Sequence, residues 1–252
     1  MKIKSILVFC PILLLAQAAL SAAIIPCGVA SLATYQSYGS TGCSLGPQFN
    51  FSSFSYVATL SVNTTVITAT DITVTPQLSA GGPKFGFAAN WGTSNSILPS
   101  SYTGVIGFHG ASADPVFNAF NSLTLVTTGS TSSIASVANV NEIDCVGGLL
   151  NNTGTACLSG VGITSGASIS GSNLSANTVV AFIPATTIDV LKTINLSSTG
   201  TAISPAFANL TNVQQDFGTN APEPSTWLLT SSTIGFGIWL RRKRFLKRSA
   251  RL

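Results

Sequence analysis

Glu142 and Asp144 are the closest pair of carboxylates in the chain. On a β-strand an i, i+2 pair faces one side with its carboxyl groups about 6 to 7 Å apart. That is the range over which glycoside hydrolases set an acid against a base. Those enzymes usually draw the two groups from different strands, and Glu142-Ile143-Asp144 abuts Cys145, so the expectation here is a solvated strand rim. His109 is the single histidine. A Ser-His-Asp hydrolase would need it beside a nucleophile and an acid, but no G-x-S-x-G elbow is present. A lone histidine between Phe108 and Gly110 at a strand end reads as a structural or surface residue. No catalytic residue is assigned.

Four cysteines, Cys27, Cys43, Cys145 and Cys157, stand outside the N-terminal apolar segment that holds Cys10. Neither close pair has C-x-x-C spacing, and with one histidine available a zinc site is not expected. No D-x-D-x-D-G loop offers calcium a site, and no cofactor is expected. In an oxidising compartment the even number reads as disulfides, with three possible connectivities. Local pairing, Cys27 with Cys43 and Cys145 with Cys157, is preferred because each pair closes a Gly-rich loop.

The elements that must carry these residues read as strands. Tyr56 to Val62, Val66 to Thr75 and Thr187 to Leu196 alternate apolar residues with Thr, Ser or Asn, and Ile188, Val190, Ile194 and Leu196 fall on one face. Tyr102 to His109, Leu123 to Thr128, Val179 to Ile183 and Ala202 to Leu210 add further strands. Turns are marked at Gly81-Gly82-Pro83, Gly92 to Asn95, Gly129 to Ser132 and Gly147-Gly148. Only Asp114 to Phe120 looks helical. With no fixed repeat and no helix long enough for a βαβ crossover, the fold class is all-β, an antiparallel sandwich or jelly roll.

Of 252 residues, 45% are hydrophobic and only 7% charged, against about 25% charged in ordinary soluble domains. Ser, Thr, Asn and Gly supply the polarity instead. The net charge of +4 is made by the two ends. Between them only Lys84 and Lys192 face Asp71, Asp114, Glu142, Asp144, Asp189 and Asp216. Without a basic stripe to neutralise phosphates, nucleic acid is excluded as a partner.

Residues 1–23 read as a signal peptide, with Lys2 and Lys4 ahead of the apolar run Ile6 to Leu20 and small residues at Ala19 to Ala23 for signal peptidase. Residues 24–220 would then be an extracytoplasmic β-rich passenger domain. In the tail, 221–252, Pro222, Glu223 and Pro224 precede an uncharged run at 225–240 and a basic cluster at 241–252 that includes Arg241, Arg242, Lys243 and Arg244. As a helix the run is about 24 Å long, short of a hydrocarbon core of roughly 30 Å, and snorkelling arginines with Trp227 and Trp239 cover the shortfall. The basic cluster acts as a stop-transfer signal and keeps the extreme C-terminus on the cytoplasmic side.

Proline-flanked tripeptide, short apolar helix and Arg-rich cluster in this order resemble the PEP-CTERM sorting tail of bacterial proteins. The resemblance covers the chain from Ala221 onward. It implies recognition by an exosortase, an integral-membrane sorting enzyme, and transient or permanent anchoring in the membrane before release to the cell surface or extracellular matrix. The stretch Cys27 to Tyr56, with Leu32, Tyr35, Cys43, Phe49, Phe51 and Phe54, is similar to the start of uncharacterised PEP-CTERM passengers, which implies no activity. The expected function is therefore structural or adhesive, in a matrix or biofilm rich in exopolysaccharide. A carbohydrate-binding module is the alternative, and it would show exposed aromatics, for example around Trp91 and Tyr102. A glycan-acting enzyme ranks third and would need Glu142, Asp144 or His109 to converge in a cleft.

Overall fold

The computed structural model describes residues 25–93, 97–113, 119–132, 136–151, 156–170, 175–201 and 204–219. The signal peptide expected at 1–23, the Pro222-Glu223-Pro224 motif, the apolar run at 225–240 and the basic cluster at 241–252 lie outside these residues. So do residues 114–118 of the expected helical turn, and Phe120, its last residue, opens a strand instead. Among the described residues no helix is long and apolar enough to cross a membrane.

The chain forms β1 (Ala30–Ser31), α1 (Leu32–Ser37), β2 (Cys43–Leu45), β3 (Phe49–Val62), β4 (Thr73–Ser79), β5 (Gly82–Gly92), β6 (Ser100–Ser112), β7 (Phe120–Thr131), β8 (Val137–Val146), β9 (Val161–Ser170), β10 (Ser175–Ala185), β11 (Thr187–Ser198) and β12 (Ala208–Thr219). Two six-stranded sheets face each other, in the orders β1-β4-β5-β12-β7-β10 and β2-β3-β6-β11-β8-β9, and the named strands pair antiparallel throughout. This is the expected all-β sandwich. From β3 onward the chain passes repeatedly from one sheet to the other, so sequence neighbours such as β6 and β7 lie in different layers.

Period-two alternation decides which side chains enter the core. On β11 Ile188, Val190, Ile194 and Leu196 are buried as expected, while Asp189, Leu191, Thr193 and Asn195 alternate with them. Aromatic rings fill the centre: Phe51 lies 4.5 Å from Phe85 and 5.6 Å from Phe217, and Phe54 stacks on Phe108 at 5.5 Å, centroid to centroid. Offset and edge contacts of this kind stabilise beyond the area they bury. Tyr35, held inward by α1, joins the cluster against Phe54 at 4.8 Å.

The strand expected over Val66 to Thr75 begins only at Thr73. Asp71 prevents it from starting earlier. Its Oδ2 accepts from Thr68 Oγ1 at 2.6 Å and Thr68 N at 2.8 Å, which folds Thr68–Asp71 into a turn and holds the Asp71 carboxyl below the usual carboxylate range. Of the strand expected over Ala202 to Leu210, residues 202–203 lie outside the described residues, and β12 begins at Ala208.

Both local disulfides form, Cys27–Cys43 and Cys145–Cys157, with Cα atoms 5.0 and 5.4 Å apart. They fit an oxidising compartment outside the cytoplasm.

Candidate functional site

A concavity lies on the outer face of the second sheet, a groove of about 580 Å³ running over β3, β6 and β11. Its floor follows from two local features. Gly107 lacks a side chain where a Cβ would come within 2.7 Å of Ser55 Oγ, so the sheet surface dips there. Opposite it the β3 ladder slips between Ser52 and Ser55, a bulge in which Ser53 takes φ +56°. Bulges re-aim side chains, and this one presents Ser52, Ser53 and Ser55 to the groove in succession.

The walls come from the two disulfide loops. Ser53 N donates to Gly39 O at 2.9 Å, which fixes the turn carrying Ser40 within the loop closed by Cys27–Cys43. On the other side Leu149, Leu150 and Asn151 rise from the loop closed by Cys145–Cys157, and Leu150 N donates to Asp189 Oδ2 at 2.8 Å. Val57 and Leu191 add apolar surface.

At the centre His109 Nδ1 pairs with Asp189 Oδ1, both side chains being partly exposed. Ser52, His109 and Asp189 are direct cross-strand partners on β3, β6 and β11, so the three stand in one row across the sheet. Asp189 thus orients the imidazole through one oxygen and anchors the 149–151 loop through the other. That leaves Nε2 as the ring's remaining polar atom. Among the described residues no lysine or arginine lines the groove.

The sequence-stated candidates divide sharply. His109 reaches the groove, whereas Glu142 and Asp144 do not. They sit on the inner face of β8 with 1% and 0% exposure, so the solvated rim expected for them is wrong. β8 buries Ala138 and Val140 in the same phase, and Lys192 meets Glu142 from the adjacent strand. Trp91 and Tyr102 are also core residues, at 0% and 1% exposure, so the aromatic patch expected around them is absent. Tyr102 spends its hydroxyl on that of Tyr56. Asp189 and the serines of the bulge were not singled out from sequence. The available signal for Asp189 was its strand phase, opposite to Ile188 and Val190.

A smaller cleft of about 390 Å³ lies against β5 and β12, lined by Thr65, Ile67, Asn90, Thr93, Phe207 and Asn209. Asn209 Nδ2 donates to Asn90 Oδ1 there at 3.3 Å. Among the described residues no group of three His, Cys, Asp or Glu side chains could hold a metal ion.

No protein-family model matches this chain, and no curated protein does. Among solved structures it is similar to TmCBM61 in complex with β-1,4-galactotriose, at 8% identity over 65% of this chain and 88% of that one, with a TM-score of 0.29. It is similar too to the enzymatically active domain of bacteriophage CBA120 tailspike protein 4, at 12% identity over 66% and 19%, TM-score 0.25. A third is the Family 11 Carbohydrate-Binding Module from Clostridium thermocellum in complex with a β-1,3-1,4-mixed-linked tetrasaccharide, at 10% identity over 69% and 98%, TM-score 0.23. Similarity at this level carries no argument about ligand or activity.

Proposed function

We propose that this is an exported glycan-binding module whose ligand lies along the groove over β3, β6 and β11, and that a PEP-CTERM-type tail directs it to the cell surface or matrix. One observation carries the binding site: a single groove whose floor offers hydroxyl, imidazole and carboxylate groups while both walls are held by disulfide loops. Pre-formed walls lower the ordering cost of binding. Closely spaced donors and acceptors beside Val57, Leu149 and Leu191 suit a sugar, which carries hydroxyls on its rim and apolar C–H faces.

Charge narrows the class. Lys84 pairs with Asp216 at 2.6 Å and Lys192 is buried, so neither described lysine is available to an acidic sugar, and Asp189 repels one. Neutral polysaccharides are the ligand class. Binding measured by calorimetry against a panel of neutral and uronate-containing polysaccharides is expected to show a neutral ligand, weakened about tenfold or more by Asp189→Ala. Phe207→Ala in the smaller cleft should leave it unchanged. If Phe207→Ala abolishes binding while Asp189→Ala does not, the groove is the wrong site.

A second reading, ester hydrolysis on such a glycan, has one specific observation in its favour, the Ser52-His109-Asp189 row. Release of acetate from an acetylated polysaccharide, lost in His109→Ala, would support it. No release by the wild-type protein would remove it.

A further inference from the structure

Between the sheets four polar side chains, three of them ionisable, meet in a core filled mainly with aromatic and aliphatic groups. Lys192 on β11 is fully buried, and its Nζ donates to Oε2 of Glu142, its direct cross-strand partner on β8. The same Nζ donates to Oε1 of Gln215, which reaches across from β12 in the facing sheet. Asp144 lies two residues along from Glu142 on the same inner face. If both carboxyl groups were ionised, Glu142 Oε1 and both oxygens of Asp144 would be buried with no donor; a protonated Asp144 can instead share a hydrogen bond with Glu142.

As an ion pair this arrangement is a poor one. Removing an ammonium and a carboxylate from water is compensated only when the remaining lone pairs are satisfied, and here one bond from a protonated Asp144 is the most the two carboxyl groups can share. The glycan site makes no use of the cluster, since none of its members lines the groove.

We propose that Lys192 and Glu142 become joined by an intramolecular isopeptide bond between Nζ and Cδ, formed within the folded core with Asp144 as the acid. The ammonium passes one proton to the Glu142 carboxylate, which yields a neutral amine beside a neutral carboxylic acid. The amine lone pair then attacks Cδ and forms the C–N bond. The C–O bond to the hydroxyl breaks as Asp144 gives it a proton, water leaves, and Asp144 recovers a proton from the nitrogen. One ammonium and one carboxylate become one amide and one water, so nothing is oxidised or reduced and no co-reactant is needed. Holding the groups in contact makes the step unimolecular.

Burial first, and then Glu142 alongside, hold the Asp144 carboxyl well above the usual carboxylate range, so it carries the proton this step uses. The product also resolves the electrostatics. Both charges vanish, the new N–H can donate to Gln215, and the new carbonyl can accept from Asp144. Attack on Gln215 instead would release ammonia and strand the Glu142 carboxylate in a dry core with no cation. The bond would tie β8 to β11 on the inner face of the sheet whose outer face carries the groove.

Intact mass of the disulfide-reduced full chain, with tandem mass spectrometry of its proteolytic peptides, tests this. The expected result is a protein lighter than its sequence by one water, with a branched peptide joining Lys192 to Glu142. In Lys192→Met the water loss should disappear, and in Asp144→Asn the branched peptide should accumulate at least tenfold more slowly. The unmodified mass in the wild-type protein, with linear peptides containing Lys192 and Glu142, would overturn the proposal whatever the variants do. Loss of ammonia with a Lys192–Gln215 branch would overturn it as well.

Discussion

The two faces of one sheet treat the same chemistry in opposite ways. On the outer face of β6 and β11, His109 and Asp189 pair where water reaches both. Three residues along β11 and one layer inward, Lys192 meets Glu142 with no exposure at all. Charge in the first setting is cheap to hold and available to a ligand, because solvent screens it and fills unsatisfied valences. In the second it must be matched inside the protein or removed. The outer pair is therefore suited to binding and the inner cluster to holding the sheet together.

Breaking the inner cluster on one side should have the largest effect. Lys192→Ala leaves a buried carboxylate with no cation and is expected to cost about 3–5 kcal/mol in denaturant unfolding. The double variant Lys192→Met with Glu142→Leu sharpens the point. It should recover most of that loss if the pair is only ionic, and less if a covalent bond has gone with it.

The next largest effect falls on the groove walls. Replacing Cys145 and Cys157 with serine opens a loop of sequence separation 12, with an expected loss of about 3 kcal/mol. Because Leu150 N anchors on Asp189, the same change should also weaken ligand affinity, whereas a core substitution of equal cost should not.

A third prediction concerns pH. The native Asp144 carboxyl is held above its unfolded value of 3.8. The folded state therefore binds more protons than the unfolded one once pH exceeds that value. Stability is then fully present below it and declines as pH rises toward the raised native value. Melting temperature followed upward from pH 4 should show that decline, and Asp144→Asn should flatten it. Asp71 has the opposite sign, since its carboxyl is held low and its contribution is lost on acidification. A profile that rises steadily with pH would place the controlling carboxylate at Asp71 or a similar exposed turn.

The smallest stability effect belongs to the outer pair. His109→Ala should change stability by about 1 kcal/mol or less. If glycan binding falls strongly in that variant while the melt barely moves, the contrast between the faces holds.

Much of the architecture was legible in the residues. The alternation over Thr187 to Leu196 identified β11 and its buried face, and the Gly-Gly-Pro and Gly-rich marks at 81–83 and 92–95 bracket β5. The two disulfides were also legible, since each joins cysteines close in sequence with a turn between them. Val66 to Thr75 misled because Thr and Ile alternate there as in a strand, while the Asp71 carboxylate satisfies the backbone of a turn more cheaply. Trp91 and Tyr102 misled because aromatic character says nothing about which face of a strand is solvated.

What the sequence determined alone is what short-range chemistry controls: β-strand periodicity, local disulfide loops, the sparing use of charge and some of the turns, though Gly129 to Thr131, expected in a turn, continue β7. What only the tertiary structure decided is which side of each strand became the interior. Glu142 and Asp144 could have faced water or core with the same local pattern, and the facing sheet closed over them. His109 and Asp189, like Lys192 and Glu142, stand far apart in the chain. Their meetings depend on the register of β6, β8 and β11, which is fixed only when the packed core selects one alignment over slips that would expose it.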